Sequence, residues 1–316
     1  MHLRTVAICA LLASLSVPAV AAPRFDEFHV SSAPVGIAAA PDGAMWFTLA
    51  TQSRIGRVDA AGTVTEFATP TRFTGPQNIA LGPDGAFWFT ERGANQIGRI
   101  TRSGAIVEYP LPTKSAGPVG IAAGRDGALW FTEFTVGKIG RITTAGRVVE
   151  FPIPTPNSGP NGIVLGADGA LWFTETGVAK IGRITPNGEV TENAIPSRGL
   201  SVTAGSHDLA AGPDGALWFT EIPLNKIGRM TTDGDVTEFP IPTPGSGPVG
   251  IVSGPGGALW FAEGAVGKIA RLEPDGRFSE FALPTRGAGP QNVAIGRDGA
   301  LWFTEYGANK IGRLIP

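Results

Sequence analysis

Trp46, Trp88, Trp130, Trp172, Trp218, Trp260 and Trp302 are the only tryptophans of the chain, and each lies in a near-copy of one segment. The clearest copy is Gly124-Arg125-Asp126-Gly127-Ala128-Leu129-Trp130-Phe131-Thr132-Glu133. The spacings between tryptophans are 42, 42, 42, 46, 42 and 42 residues. Self-similarity at this period makes each unit one supersecondary element that must stack on its neighbours. Short apolar strands broken by Gly and Asp turns make that element a four-stranded blade. The predicted fold is all-β, a seven-bladed β-propeller of antiparallel strands.

The third repeat shows how one unit is built. Val119 to Ala123 is an apolar run, and Gly124 to Gly127 is an Asp-Gly turn suited to a hairpin. Ala128 to Glu133 reads as a second strand, and Lys138 to Thr143, carrying Ile-Gly-Arg-Ile, as a third. A turn at Thr144-Ala145-Gly146 leads to a fourth strand at Val148 to Phe151. The tryptophan falls mid-strand in every copy, where a large ring packs one twisted sheet on the next. Gly140 and its counterparts suit places where backbones approach closely.

The chain finishes on a third-strand pattern, Ile311-Gly312-Arg313-Leu314, with no fourth strand after it. Arg24 to His29 resembles a fourth strand, so the N-terminal segment is predicted to complete the last blade and leave no free edge at the seam. His29 then belongs to the closing strand.

Gly 45 and Pro 27 are high, but they fall at fixed places in the repeat and mark turns, not disorder. Charged residues make up 16% and the net charge is −2, with no basic run to neutralise phosphates. That argues against nucleic acid as a partner. Residues 1–21 read as a secretory signal peptide: Arg4 at the start, an apolar stretch from Val6 to Val17, and a small-residue site at Ala19-Val20-Ala21. Residues 22–316 are then expected to form one periplasmic or secreted propeller domain, monomeric and without a membrane span. The only cysteine, Cys9, lies inside the signal. The mature chain is therefore expected to carry no disulfide, thiolate metal site or cysteine nucleophile.

In an up-and-down blade, the start of strand one and the end of strand two share the face that carries the connections between blades. A site is expected there. The first position of strand one holds Val35, Gln77, Val119, Asn161, His207, Val249 and Gln291 around the ring. The next position holds Gly36, Asn78, Gly120, Gly162, Asp208, Gly250 and Asn292. Strand two ends on Leu49, Glu91, Glu133, Glu175, Glu221, Glu263 and Glu305. Six carboxylates in a ring suit either a cation or structural pairing with the base that opens strand three, as in Lys138, Lys180, Lys226, Lys268 and Lys310. The second unit has Gln96 there.

Departures from the repeat carry more information, because function breaks symmetry. An insertion falls in Asn193 to Ser206, after which Gly205-Ser206-His207-Asp208-Leu209 replaces Gly-Pro-x-Gly-Ile. His207 suits a general base or a metal ligand, or equally a loop histidine bonded to a neighbour. Asp208, and Glu221 on the same unit, complete a candidate catalytic set. Gln77, Asn78, Asn161, Gln291 and Asn292 are candidate ligand contacts, since amides facing a channel suit a polar or peptide-like small molecule. No Gly-rich phosphate loop, His-Glu-x-x-His or Gly-x-Ser-x-Gly is present.

Gly-Pro-x-Gly-Ile, Asp-Gly-Ala-Leu-Trp-Phe-Thr-Glu, Asn-Lys-Ile-Gly-Arg and Glu-Phe-x-Ile-Pro-Thr-Pro together resemble the virginiamycin B lyase (streptogramin lyase) family over about residues 24–316. The resemblance implies a seven-bladed propeller with its site on the face just described. It also implies elimination across the ester bond of a cyclic depsipeptide antibiotic, with Mg²⁺ as the cofactor. The family's two histidines, at strand-one starts of the sixth and seventh units, correspond to Val249 and Gln291 here. Its two metal-binding glutamates correspond to Gly289 and Tyr306, and Tyr306 is a further candidate ligand contact.

These replacements take away a base and the metal carboxylates, so the residues favour a binding propeller over the lyase. Two enzyme readings stay open. One is a lyase whose site has moved to His207, Asp208 and Glu221. The other is a lactonase-type hydrolase using Glu221, Asn161 and Asp208 as a metal set. The residues alone assign no metal.

Overall fold

The computed structural model describes residues 23–196 and 208–315. The expected signal sequence, His207 and most of the insertion lie outside the described residues. In the third unit the apolar runs become strand one (Pro118–Ala123), strand two (Ala128–Glu133), strand three (Lys138–Thr143) and strand four (Val148–Pro152). They pair in that order, antiparallel, and the same order recurs in seven four-stranded sheets. The propeller is as the repeat predicted.

The repeated residues write one local grammar. Gly127 turns the hairpin with φ +73°, a left-handed conformation that glycine adopts without strain. The Asp126 carboxylate accepts the N–H of Ala128 at 3.3 Å, the indole Nε1–H of Trp130 at 3.2 Å and the Nε–H of Arg141 at 2.6 Å. Arg141 also lies over the Trp130 ring, 5.8 Å from its centroid. The same Asp–Trp–Arg set recurs at Asp84, Asp168 and Asp214. Blade six has Gly256-Gly257 at the turn instead, and Arg271 pairs with Glu273 at 3.0 Å.

Between blades, Trp130 is fully buried and packs with Ile163, Leu171 and Phe173 of blade four. It also stacks on Phe151 at 5.6 Å and 19°. Replacing such a ring by alanine costs about 3–5 kcal/mol. Gly140 is required on the other face: a Cβ there would sit 2.1 Å from the Phe131 ring.

The seam closes as the sequence indicated. Strand Arg24–His29 pairs with Lys310–Ile315 along its whole length, from Arg24 opposite Ile315 to His29 opposite Lys310. Glu27 takes the place that Glu150 holds in blade three. Glu27 accepts Lys310 Nζ at 2.6 Å and Thr285 Oγ1 at 2.8 Å. Glu150 accepts Lys138 Nζ at 2.9 Å and Thr113 Oγ1 at 2.5 Å. Each such threonine comes from the preceding blade, so the set clasps neighbours together. His29 is exposed at the end of the closing strand.

Candidate functional site

Strand one does not run straight into the channel. Its register with strand two shifts between Pro118 and Ile121 in blade three, and equivalently in blades one, two, four, six and seven. This bulge re-aims the second and third residues of the strand toward the axis. A threonine of strand two then locks it. Thr132 Oγ1 accepts the N–H of Gly120 at 2.8 Å and donates to the carbonyl of Asn161, in the next blade, at 2.7 Å. Thr48, Thr90, Thr220 and Thr304 make the same two bonds. Blade six has Ala262 at this position, so that hydroxyl bridge to blade seven cannot form.

The result is a channel mouth lined by Val35, Gln77, Asn78, Val119, Asn161, Gly162, Asp208, Val249, Gly250, Gln291 and Asn292. The enclosed space is about 50 Å³, enough for water but far below a small-molecule pocket. A ligand of any size must therefore lie across the mouth, not inside it. The alternation of glycine with larger residues is steric: a Cβ on Gly36 would sit 2.6 Å from the Gln77 carbonyl, and one on Gly250 would sit 2.7 Å from Asn292 Cα. Asn78, Asp208 and Asn292 share one geometry, each Oδ1 accepting the N–H of the following residue at 2.8, 2.9 and 2.8 Å. Among the described residues that leaves the NH₂ of the two amides as the group to offer a ligand. Burial pushes the Asp208 carboxyl up to about 6, against the backbone N–H groups of Leu209 and Ile251, which pull it down.

Of the residues singled out from sequence, Gln77, Asn78, Asn161, Asp208, Gln291 and Asn292 meet at this mouth. Glu221 does not: it is buried, 4% exposed, and is no part of the lining. Tyr306 is 45% exposed on the connection after strand two of blade seven, outside the lining. His207 lies outside the described residues, so the set His207–Asp208–Glu221 is represented at the mouth by Asp208.

The glutamate ring differs from the expected pairing. Lys138, Lys226, Lys268 and Lys310 bond the strand-four glutamates Glu150, Glu238, Glu280 and Glu27, at 2.5–2.9 Å. The strand-two glutamates turn inward instead. Glu91, Glu133, Glu175, Glu263 and Glu305 are buried; Glu133, Glu175, Glu263 and Glu305 each lie against the carboxylate of the strand-four glutamate, to which a protonated carboxyl donates, and Glu91 lies against the Thr74 hydroxyl. Burial, reinforced by the neighbouring strand-four glutamate, pushes Glu91, Glu133 and Glu175 up to about 8, and Glu221, Glu263 and Glu305 up to about 7. Below those values they are neutral acids, set in the blade interior. A strand alternation of Phe then Glu points both inward, a signal the pattern reading passed over.

Among the described residues no ligand set for Mg²⁺ is present. Gly289 offers no side-chain donor where the resemblance places a metal carboxylate, and Tyr306 is a phenol. Among the described residues no cluster of three or more His, Cys, Asp or Glu is placed to hold a metal.

Fold and site define a seven-bladed propeller with an amide-lined axial mouth. The profile of the virginiamycin B lyase family matches residues 20–158 and 130–316, and the chain belongs to that family. A streptogramin B lyase structure superposes with a TM-score of 0.88 at 39% identity, over 93% of this chain and 97% of that one. The virginiamycin B lyase from Staphylococcus aureus gives 0.87 at 39% identity, over 93% and 100%. A putative gluconolactonase, at 18% identity and a TM-score of 0.58, shares the fold alone. No curated protein sequence matches the chain significantly.

Proposed function

We propose that the protein is an exported propeller that binds a peptide-like or other polar ligand across the channel mouth, without the lyase step of its relatives. The observation that carries this reading is the lining itself. Amides from Gln77, Asn78, Asn161, Gln291 and Asn292 converge there, and Val249 and Gln291 stand at the two positions where the family pattern has histidines. Valine and glutamine cannot take a proton from carbon, whereas amide groups pair well with peptide bonds. A catalytically inactive histidine variant of the S. aureus virginiamycin B lyase has been crystallised with quinupristin. Quinupristin is therefore the first ligand to titrate.

Calorimetry with the mature protein should show saturable binding, weakened at least tenfold by Asn78→Ala with Asn292→Ala. Absence of binding to the unsubstituted protein overturns the reading. A second reading, an enzyme with its site moved to blade five, is favoured by one observation: the Asp208 carboxyl, raised to about 6, faces the mouth where a base would act. It requires turnover that His207→Ala or Asp208→Asn abolishes.

A further inference from the structure

The loop that leads into strand one repeats a fixed conformation. Its third residue adopts a left-handed backbone in blade three (Ser115, φ +53°), blade four (Asn157, +57°), blade six (Gly245, +62°) and blade seven (Gly287, +72°). Glycine and asparagine tolerate such a φ, and the serine of blade three is at least small. Blade two has Phe73 at the same position, with φ +58°. A bulky aromatic is costly there, and its ring is not rewarded by burial: Phe73 is 87% exposed.

The loop is coupled to the channel. Gln77, which lines the mouth, donates its Nε2–H to the carbonyl of Gly75 at 3.2 Å, two residues after Phe73. Gly93 donates its N–H to the Thr74 carbonyl at 2.8 Å, and a Cβ at Gly93 would sit 2.5 Å from the Phe73 carbonyl. The residue before it, Arg92, is exposed and lies 5.3 Å above the ring of Phe134 in blade three. Neighbouring connections of blades two and three thus present an exposed Phe73 and a preformed Arg92–Phe134 pair. The repeat puts small or polar residues at the matching loop position elsewhere.

We propose that Phe73, with the Arg92–Phe134 pair beside its loop, forms a stacking platform at the rim that receives an aromatic ring of the ligand and sets its specificity. This rests on the reading that a peptide-like ligand lies across the mouth. The mouth holds the ligand's amides while the platform selects its side chain. Aromatic stacking and cation–π contact supply the preference.

The test uses cyclic hexapeptides, an all-alanine ring and a set carrying one phenylalanine, titrated against the mature protein. The best phenylalanine ring should bind at least tenfold tighter than the alanine ring. Phe73→Asn should bring that ratio near one, and Phe73→Trp should keep it. Phe73→Asn should also raise the melting temperature by about 2 °C, because Asn157 shows that asparagine fits this backbone. A lower melting temperature would make Phe73 structural and overturn the proposal. Equal binding of both rings to the unsubstituted protein overturns it while leaving the channel reading intact. Binding of neither ring removes both.

Discussion

Glu133 gives the sharpest contrast between a buried neutral acid and an ion pair. Its carboxyl is buried against the Glu150 carboxylate, to which the protonated form donates, while Lys138 bonds Glu150 at 2.9 Å. Burial pushes the group to about 8 from an ordinary 4.5. In the unfolded chain it ionises near its ordinary value, while in the folded protein it keeps its proton to about 8. Its contribution is therefore fully present below about 4.5 and is lost progressively as pH rises to about 8. The slope is about 1.4 kcal/mol per pH unit, with a ceiling of about 5 kcal/mol across the window. Glu133→Gln removes this titration and keeps the shape of the protonated acid. Urea unfolding at pH 5 should find the variant within about 1 kcal/mol of the unsubstituted protein. By pH 8 it should be the more stable of the two by a few kcal/mol. Parallel stability curves, or a variant less stable at pH 8, would mean that Glu133 is charged and paired, and the reasoning would fail.

Three further outcomes follow from the same geometry. Ala262→Thr should restore the missing hydroxyl bridge between blades six and seven, adding about 1 kcal/mol in urea unfolding; a loss of stability would show that the Ala262 site cannot accept the hydroxyl. Deleting residues 24–30 should remove strand four of blade seven with its Glu27 clasp, and abolish cooperative melting followed by near-ultraviolet dichroism. Asp208→Asn places in blade five the residue that blades two and seven carry. The Asp208 carboxyl, raised to about 6, favours the fold most at acid pH, so the variant should gain over the unsubstituted protein as pH rises from about 4 to about 6, and then hold that gain. A gain that does not change with pH would contradict it.

The fold was legible because one unit is written seven times. Tryptophan spacing, the Asp-Gly turn and the missing fourth strand after Leu314 together forced both the blade and its closure through Arg24–His29. The candidate site was legible only as departures from the repeat. Gln77, Asn78, Asp208, Gln291 and Asn292 were readable because the other blades have Val-Gly or Asn-Gly there, and the structure brings them to one mouth. Glu221 was misplaced for the opposite reason. Its position at the end of strand two suggested the open face, but the Phe-x-Glu alternation turns it into the blade interior beside Glu238. The partner of each lysine was equally hidden. Lys138 lies opposite Glu133 in the register, yet its side chain reaches the strand-four glutamate, a choice made by tertiary packing that no local pattern records. Phe73 was not legible in the sequence, because what sets it apart is a left-handed φ that no local pattern records.

The most direct test of the proposed binding role is chromatography of quinupristin after incubation with the mature protein, with Mg²⁺ and with chelator. Elimination across the ester leaves the mass unchanged and shifts retention, whereas hydrolysis adds one water. The residues at the mouth predict neither product at any incubation time, with the intact ring recovered from the protein-bound fraction. A new isomeric peak that depends on Mg²⁺ would contradict this and place a working lyase site on a chain with Val249 and Gln291 at the family's histidine positions.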